Sequence, residues 1–92
     1  MPKIDGTGVV LDFLKGLPAK QAAQISRKVL ELGKNPNPAD SEKLIGHPYF
    51  RADTGEYRII YEYLEEIDTI NIILVGKRND DEIYRILKRR QS

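Results

Sequence analysis

Ninety-two residues, 40% of them hydrophobic and 32% charged, suffice for one small globular domain around a single core. The absence of cysteine excludes a disulfide framework and a thiolate zinc site, and a single histidine argues against a histidine-based metal centre. No apolar run approaches the ~18–20 residues needed to span a membrane, and the N-terminus lacks the basic-then-apolar pattern of a signal peptide, so an intracellular, cytoplasmic protein with no membrane role is expected.

The net charge of +1 conceals an uneven distribution. Residues 1–46 carry seven Lys/Arg against five Asp/Glu, residues 47–76 two against six, and residues 77–92 six against three. The C-terminal cations have two readings. Lys88, Arg89 and Arg90 read either as a solvated helix end that offsets the helix dipole or as part of a basic edge that meets phosphate.

Met1 to Gly8 is weakly patterned: Lys3-Ile4-Asp5 could form a short edge strand, while Gly6 and Gly8 favour a flexible lead-in. Val9 to Lys15 reads as a helix, with Val10, Phe13, Leu14 and Leu17 at helical spacing and Thr7 as N-cap. Pro18 suits the first turn of a second helix, Ala19 to Leu32, whose apolar face is Ala22, Ile25, Val29 and Leu32. Gly33 is the expected stop, and Asn35 to Glu42 reads as a polar loop. Two helices this short need a sheet to lie on.

Strands are expected around Tyr49-Phe50-Arg51-Ala52, over Tyr57 to Leu64 and over Ile67 to Val75, forming an antiparallel meander with turn chemistry at Asp53-Thr54-Gly55. The near-continuous apolar run Ile70 to Val75 marks a central strand covered on both faces. A last helix begins at Asn79 or Asp80, with Ile83, Ile86 and Leu87 as its stripe. The expected class is α+β: an N-terminal helix pair on a small antiparallel sheet, closed by a C-terminal helix, with residues 1–92 as one domain.

Strand alternation puts Tyr57, Ile59, Tyr61 and Tyr63 on one face and Arg58, Ile60 and Glu62 on the other. The aromatic face suits the helices, which turns Arg58 away from them. An arginine there needs a partner. Glu62 or Glu56 could supply a salt bridge. Alternatively Arg51, Arg58 and Arg78 converge on an anion, for which bidentate guanidinium groups make phosphate the natural choice. Tyr84 reads either as a half-buried core tyrosine or as a phenol facing those cations. His47 reads as a loop residue. There is no glycine-rich phosphate loop, no HExxH and no Ser/His/Asp set.

Lys43-Leu44-Ile45-Gly46, Phe50-Arg51, Gly55-Glu56-Tyr57-Arg58-Ile59-Ile60-Tyr61, Val75-Gly76-Lys77-Arg78 and Glu82-Ile83-Tyr84, in this order and spacing, resemble the RelE-like branch of the RelE/ParE toxins of bacterial type II toxin–antitoxin systems. The resemblance implies a metal-independent, cofactor-free endoribonuclease that cuts mRNA in the ribosomal A site. In it, the 2′-hydroxyl attacks the adjacent phosphate and leaves a 2′,3′-cyclic phosphate. It implies Arg58, Arg78 and Tyr84 as catalytic residues, with Arg51 and Lys77 as supporting RNA-binding cations. It also implies a cognate antitoxin as partner, through which alone DNA is met. Two alternatives within reach are a ParE-like inhibitor of DNA gyrase and a weakly active module that serves autoregulation with its antitoxin. The chain departs from the family pattern in its poorly alternating first strand and in offering Arg51, followed by Asp53, where a lysine-rich strand is usual.

Overall fold

The computed structural model describes residues 3–77 and Arg85. The expected C-terminal helix, including Lys88, Arg89 and Arg90, and the site residues Arg78 and Tyr84 lie outside the described residues.

The chain runs β1 (Lys3–Gly6), α1 (Gly8–Lys15), α2 (Ala19–Lys34), β2 (Ser41–Lys43), β3 (Phe50–Thr54), β4 (Tyr57–Leu64) and β5 (Thr69–Lys77). Thr7 caps α1 as expected, its hydroxyl accepting from the Val10 N–H at 3.3 Å. Helix α2 passes through Gly33, which is buried, and ends only where Asn35 turns extended ahead of Pro36. A glycine weakens a helix interior but does not forbid it, whereas proline removes the donor a further turn would need.

Among the described residues the strands form one sheet in the order β1-β5-β4-β3-β2. The expected antiparallel meander is present as β3-β4-β5, but the sheet is larger and mixed. Strand β1 forms despite its glycines and pairs in parallel with β5, Ile4 opposite Ile70. One inward apolar residue suffices there, because Ile4 packs on the main core while its neighbours face solvent. Strand β2 takes Ser41 and Glu42 out of the expected loop and pairs with β3. Its polarity, which suggested a loop, also fits an edge strand with little surface to bury. The last strand starts at Thr69, two residues late, because Glu65–Ile67 form a short 3-10 turn and Asp68 is left-handed (φ 48°).

Strand alternation sorts the core into two clusters. Val10, Ile25 and Leu32 of the helices pack on Ala52, Tyr57, Ile59, Tyr61, Ile70, Ile72 and Val75. On the opposite face Ile60, Ile73 and Leu74 gather with Leu44 and Tyr49. Ile72 and Val75 share a cluster although they are three apart, which strict alternation forbids. A bulge resolves this. Ile60 pairs with Leu74 and Tyr61 with Ile72, so Ile73 is the extra residue and joins Leu74 on the face away from α1 and α2. Strand β5 is therefore covered on both faces, as its apolar run predicts.

Candidate functional site

The site is built on β3 and β4, around the hairpin that joins them. Gly55 and Glu56 form a two-residue turn, with Gly55 left-handed at φ 58°, and Thr54 pairs with Tyr57. One step further from the turn, Asp53 stands directly across from Arg58. Arg51 pairs with Ile60 on β4 and with Glu42 on β2. Cross-strand partners share a face, so Glu42, Arg51, Asp53 and Arg58 all lie on the face that carries Ile60, away from the helices.

Arg58 points where strand alternation predicts, and among the described residues it pairs with Asp53, where the sequence suggests Glu56 or Glu62. Its Nε donates to Asp53 Oδ1 at 2.8 Å and its Nη2 to Oδ2 at 3.2 Å, a side-on bidentate pair. The Arg58 side chain is only 14% exposed, and that of Asp53 30%. Arg51 leans on the same carboxylate, Nη1 to Oδ2 at 3.8 Å, and its Nη2 donates to Glu42. Glu62 instead accepts from Asn71 at 3.0 Å. The described network is thus a chain of alternating charge, Glu42–Arg51–Asp53–Arg58.

Arg51 and Arg58 are brought together on one face as expected, and an internal carboxylate lies between them. Lys77 ends β5 opposite Tyr57, so its register places it on the helix face, not beside Arg58. Gly76 is the β5 residue across from Arg58 and adds no side chain there. His47 stacks on Tyr49 in the β2–β3 connection, ring centroids 6.1 Å apart.

Sequence reasoning missed Asp53 and Glu42 as members of the site. For Asp53 a signal was present. The turn falls at Gly55-Glu56 and not over Asp53-Thr54-Gly55 as expected; Asp53 and Thr54 belong to β3, and this register makes Asp53 the partner of Arg58. Glu42 carried no such signal, because its strand could not be told from a loop. Chemically, the arrangement holds two guanidinium groups on paired strands, where their positions are stiff. It can grip an oxyanion bidentately once a carboxylate yields or shares its donors.

The architecture, two helices laid on one face of a small mixed sheet, is that of the RelE-type toxins. The isolated Escherichia coli RelE toxin superposes with a TM-score of 0.75 at 23% identity, over the whole of both chains. RelE in the E. coli RelBE toxin–antitoxin complex gives 0.73 at 25% identity, covering 84% of this chain and 96% of that one. The archaeal RelE–RelB complex of Pyrococcus horikoshii gives 0.74 at 25%, covering 84% and 94%. No curated protein matches. Residues 10–82 match the family described as ParE toxin of type II toxin-antitoxin system, parDE. The chain belongs to this family, within the RelE/ParE superfamily of toxins.

Proposed function

We propose that the protein is a ribosome-dependent endoribonuclease that cuts mRNA in the A site. The observation that carries this reading is the placement of Arg51 and Arg58 together on the sheet face opposite the helices, held by paired strands. Cleavage needs in-line geometry, charge stabilisation, a proton taken from the 2′-hydroxyl and a proton given to the leaving 5′-oxygen. The 2′-hydroxyl attacks the adjacent phosphorus, the bond to the 5′-oxygen breaks, and a 2′,3′-cyclic phosphate and a 5′-hydroxyl remain. Arg58 holds the phosphate, which gains charge toward the transition state, so a fixed guanidinium stabilises that state selectively. Arg51 supports it from the paired strand. Arg78 neutralises the transition state or protonates the leaving oxygen, and Tyr84 serves as base or stacks on a nucleobase. The RelE chains of E. coli and P. horikoshii were solved bound to RelB antitoxins. By analogy a small antitoxin neutralises this protein, and DNA is met only through that complex.

A second reading has its own support. The family match is to ParE toxins, and the carboxylates of Asp53 and Glu42 already engage the arginines. Both fit a gyrase inhibitor that acts by binding. Mapping mRNA 3′ ends on translating ribosomes separates the two, with wild type compared with Arg58→Ala and Arg78→Ala. New ends at A-site codons with wild type alone are the expected result. Toxicity with intact mRNA and arrested replication would overturn it in favour of gyrase. Neither effect would leave a module that acts only with its antitoxin.

A further inference from the structure

We infer that Asp53 is a specificity-setting residue: it acts as a built-in counter-anion that holds down the affinity of the Arg51–Arg58 pair for phosphate. The inference rests on the phosphate-binding part of the reading above and adds a regulator to that site.

Three observations carry it. Asp53 meets Arg58 through Nε and Nη2, one of the two paired donor edges by which a guanidinium grips an oxyanion. The same carboxylate lies 3.8 Å from Arg51, so one group attends both arginines. Glu42 then engages the far side of Arg51. Within the described network the two arginines bring two positive charges, and Asp53 and Glu42 return two negative ones. A phosphate approaching Arg58 therefore competes with a carboxylate already in place and meets its repulsion. Structural need alone explains this arrangement poorly. The main core lies on the other face, and exchanging a buried ion pair for well-packed apolar residues is often neutral or stabilising. An arginine kept polar and paired on a rigid strand is preorganised for an anion, and Asp53 sets how strong that anion must be. Free phosphate and isolated RNA are then poor ligands, while RNA presented in a fixed geometry can displace or share the carboxylate.

The test is binding of a fluorescent oligouridylate with 2′-O-methyl sugars, which cannot be cut, to the whole protein without ribosomes. Asp53→Asn keeps the shape and removes the charge. It is expected to bind about tenfold more tightly than wild type at low salt. The log–log salt slope should steepen by about 0.7 for one further phosphate engaged. Glu42→Gln, at the more exposed end of the network, should show a smaller gain in the same direction. Adding Arg58→Gln to Asp53→Asn should abolish the gain. Should Asp53→Asn fail to fold, as read by far-ultraviolet circular dichroism, Glu42→Gln carries the test alone. Folded variants that bind no more tightly than wild type overturn the inference, as does a gain that survives the loss of Arg58. The outcome is separable from the nuclease reading. Tighter binding by Asp53→Asn with no mRNA cleavage by wild type keeps the counter-anion and removes the nuclease. Cleavage by wild type with no gain in binding does the reverse.

Discussion

Tyr61 ties the loop after α2 to the sheet. Its side chain is fully buried, its ring stacks on Phe50 and its hydroxyl donates to the Pro36 carbonyl at 2.8 Å. Nearby, Lys28 donates to Asp40 at 2.6 Å and lies 3.6 Å from Glu31. Together these bonds hold the 35–40 segment that leads into β2. Tyr61→Phe keeps the ring and leaves the Pro36 carbonyl without this donor, so it should cost about 1 kcal/mol in urea unfolding. The same residues set an alkaline limit. Burial raises the Tyr61 phenol above its usual 10.0. Burial alone would lower the Lys28 ammonium, but Asp40 and Glu31 overcome it and leave its pKa above 10.5. The fold favours the neutral phenol and the charged amine, so both contributions are whole at neutral pH. They are lost as pH rises past the ordinary values and through the raised ones. The melting temperature should therefore hold near neutrality and fall above about pH 10, and Tyr61→Phe should fall less steeply across that window.

Helix α1 shows what a short element needs. It has eight residues, too few to persist alone, and Val10 is its one buried residue. The cap at Thr7 therefore matters, and Thr7→Ala should lower stability by about 1 kcal/mol, read as a shift in the denaturation midpoint at constant slope. The β3–β4 turn is a second sensitive point. Gly55→Ala must place a side chain at φ 58°, and its Cβ would lie 2.6 Å from the Gln24 amide nitrogen. That amide is flexible and can move, so the backbone conformation dominates and about 1 kcal/mol is the expected loss. These elements were legible because their signals are local: a cap, a periodic apolar face, a turn residue. The edge strands were only half legible: Lys3-Ile4-Asp5 offered a short strand against a flexible lead-in, while Ser41 and Glu42 read as loop. Ile4 is one apolar residue between Lys3 and Asp5, and its pairing with Ile70 spans nearly the whole described chain. Ser41-Glu42-Lys43 has no apolar residue, and only its pairing with β3 makes it a strand. The bulge at Ile73 was hidden because an unbroken apolar run has no alternation to interrupt.

The two faces of the sheet divide the work of the molecule. The helices and most of the core occupy one, and the arginine–carboxylate network stands on the other. The face of Arg58 was readable from alternation, but its partner depended on the register set at Gly55-Glu56. This division allows a test of whether Arg58 serves stability or function. Arg58→Ala leaves the partly buried Asp53 carboxylate without its bidentate donor and should cost about 1–2 kcal/mol. Asp53→Asn combined with Arg58→Ala removes that carboxylate charge and should recover much of that loss, read by urea unfolding of both proteins. Growth arrest on induction should follow a different course. It should be lost in Arg58→Ala and remain lost in the double variant, because a restored fold still lacks the guanidinium. If the double variant regained toxicity along with stability, Arg58 would be no more than one half of a structural ion pair. The active group would then have to be sought elsewhere on the chain.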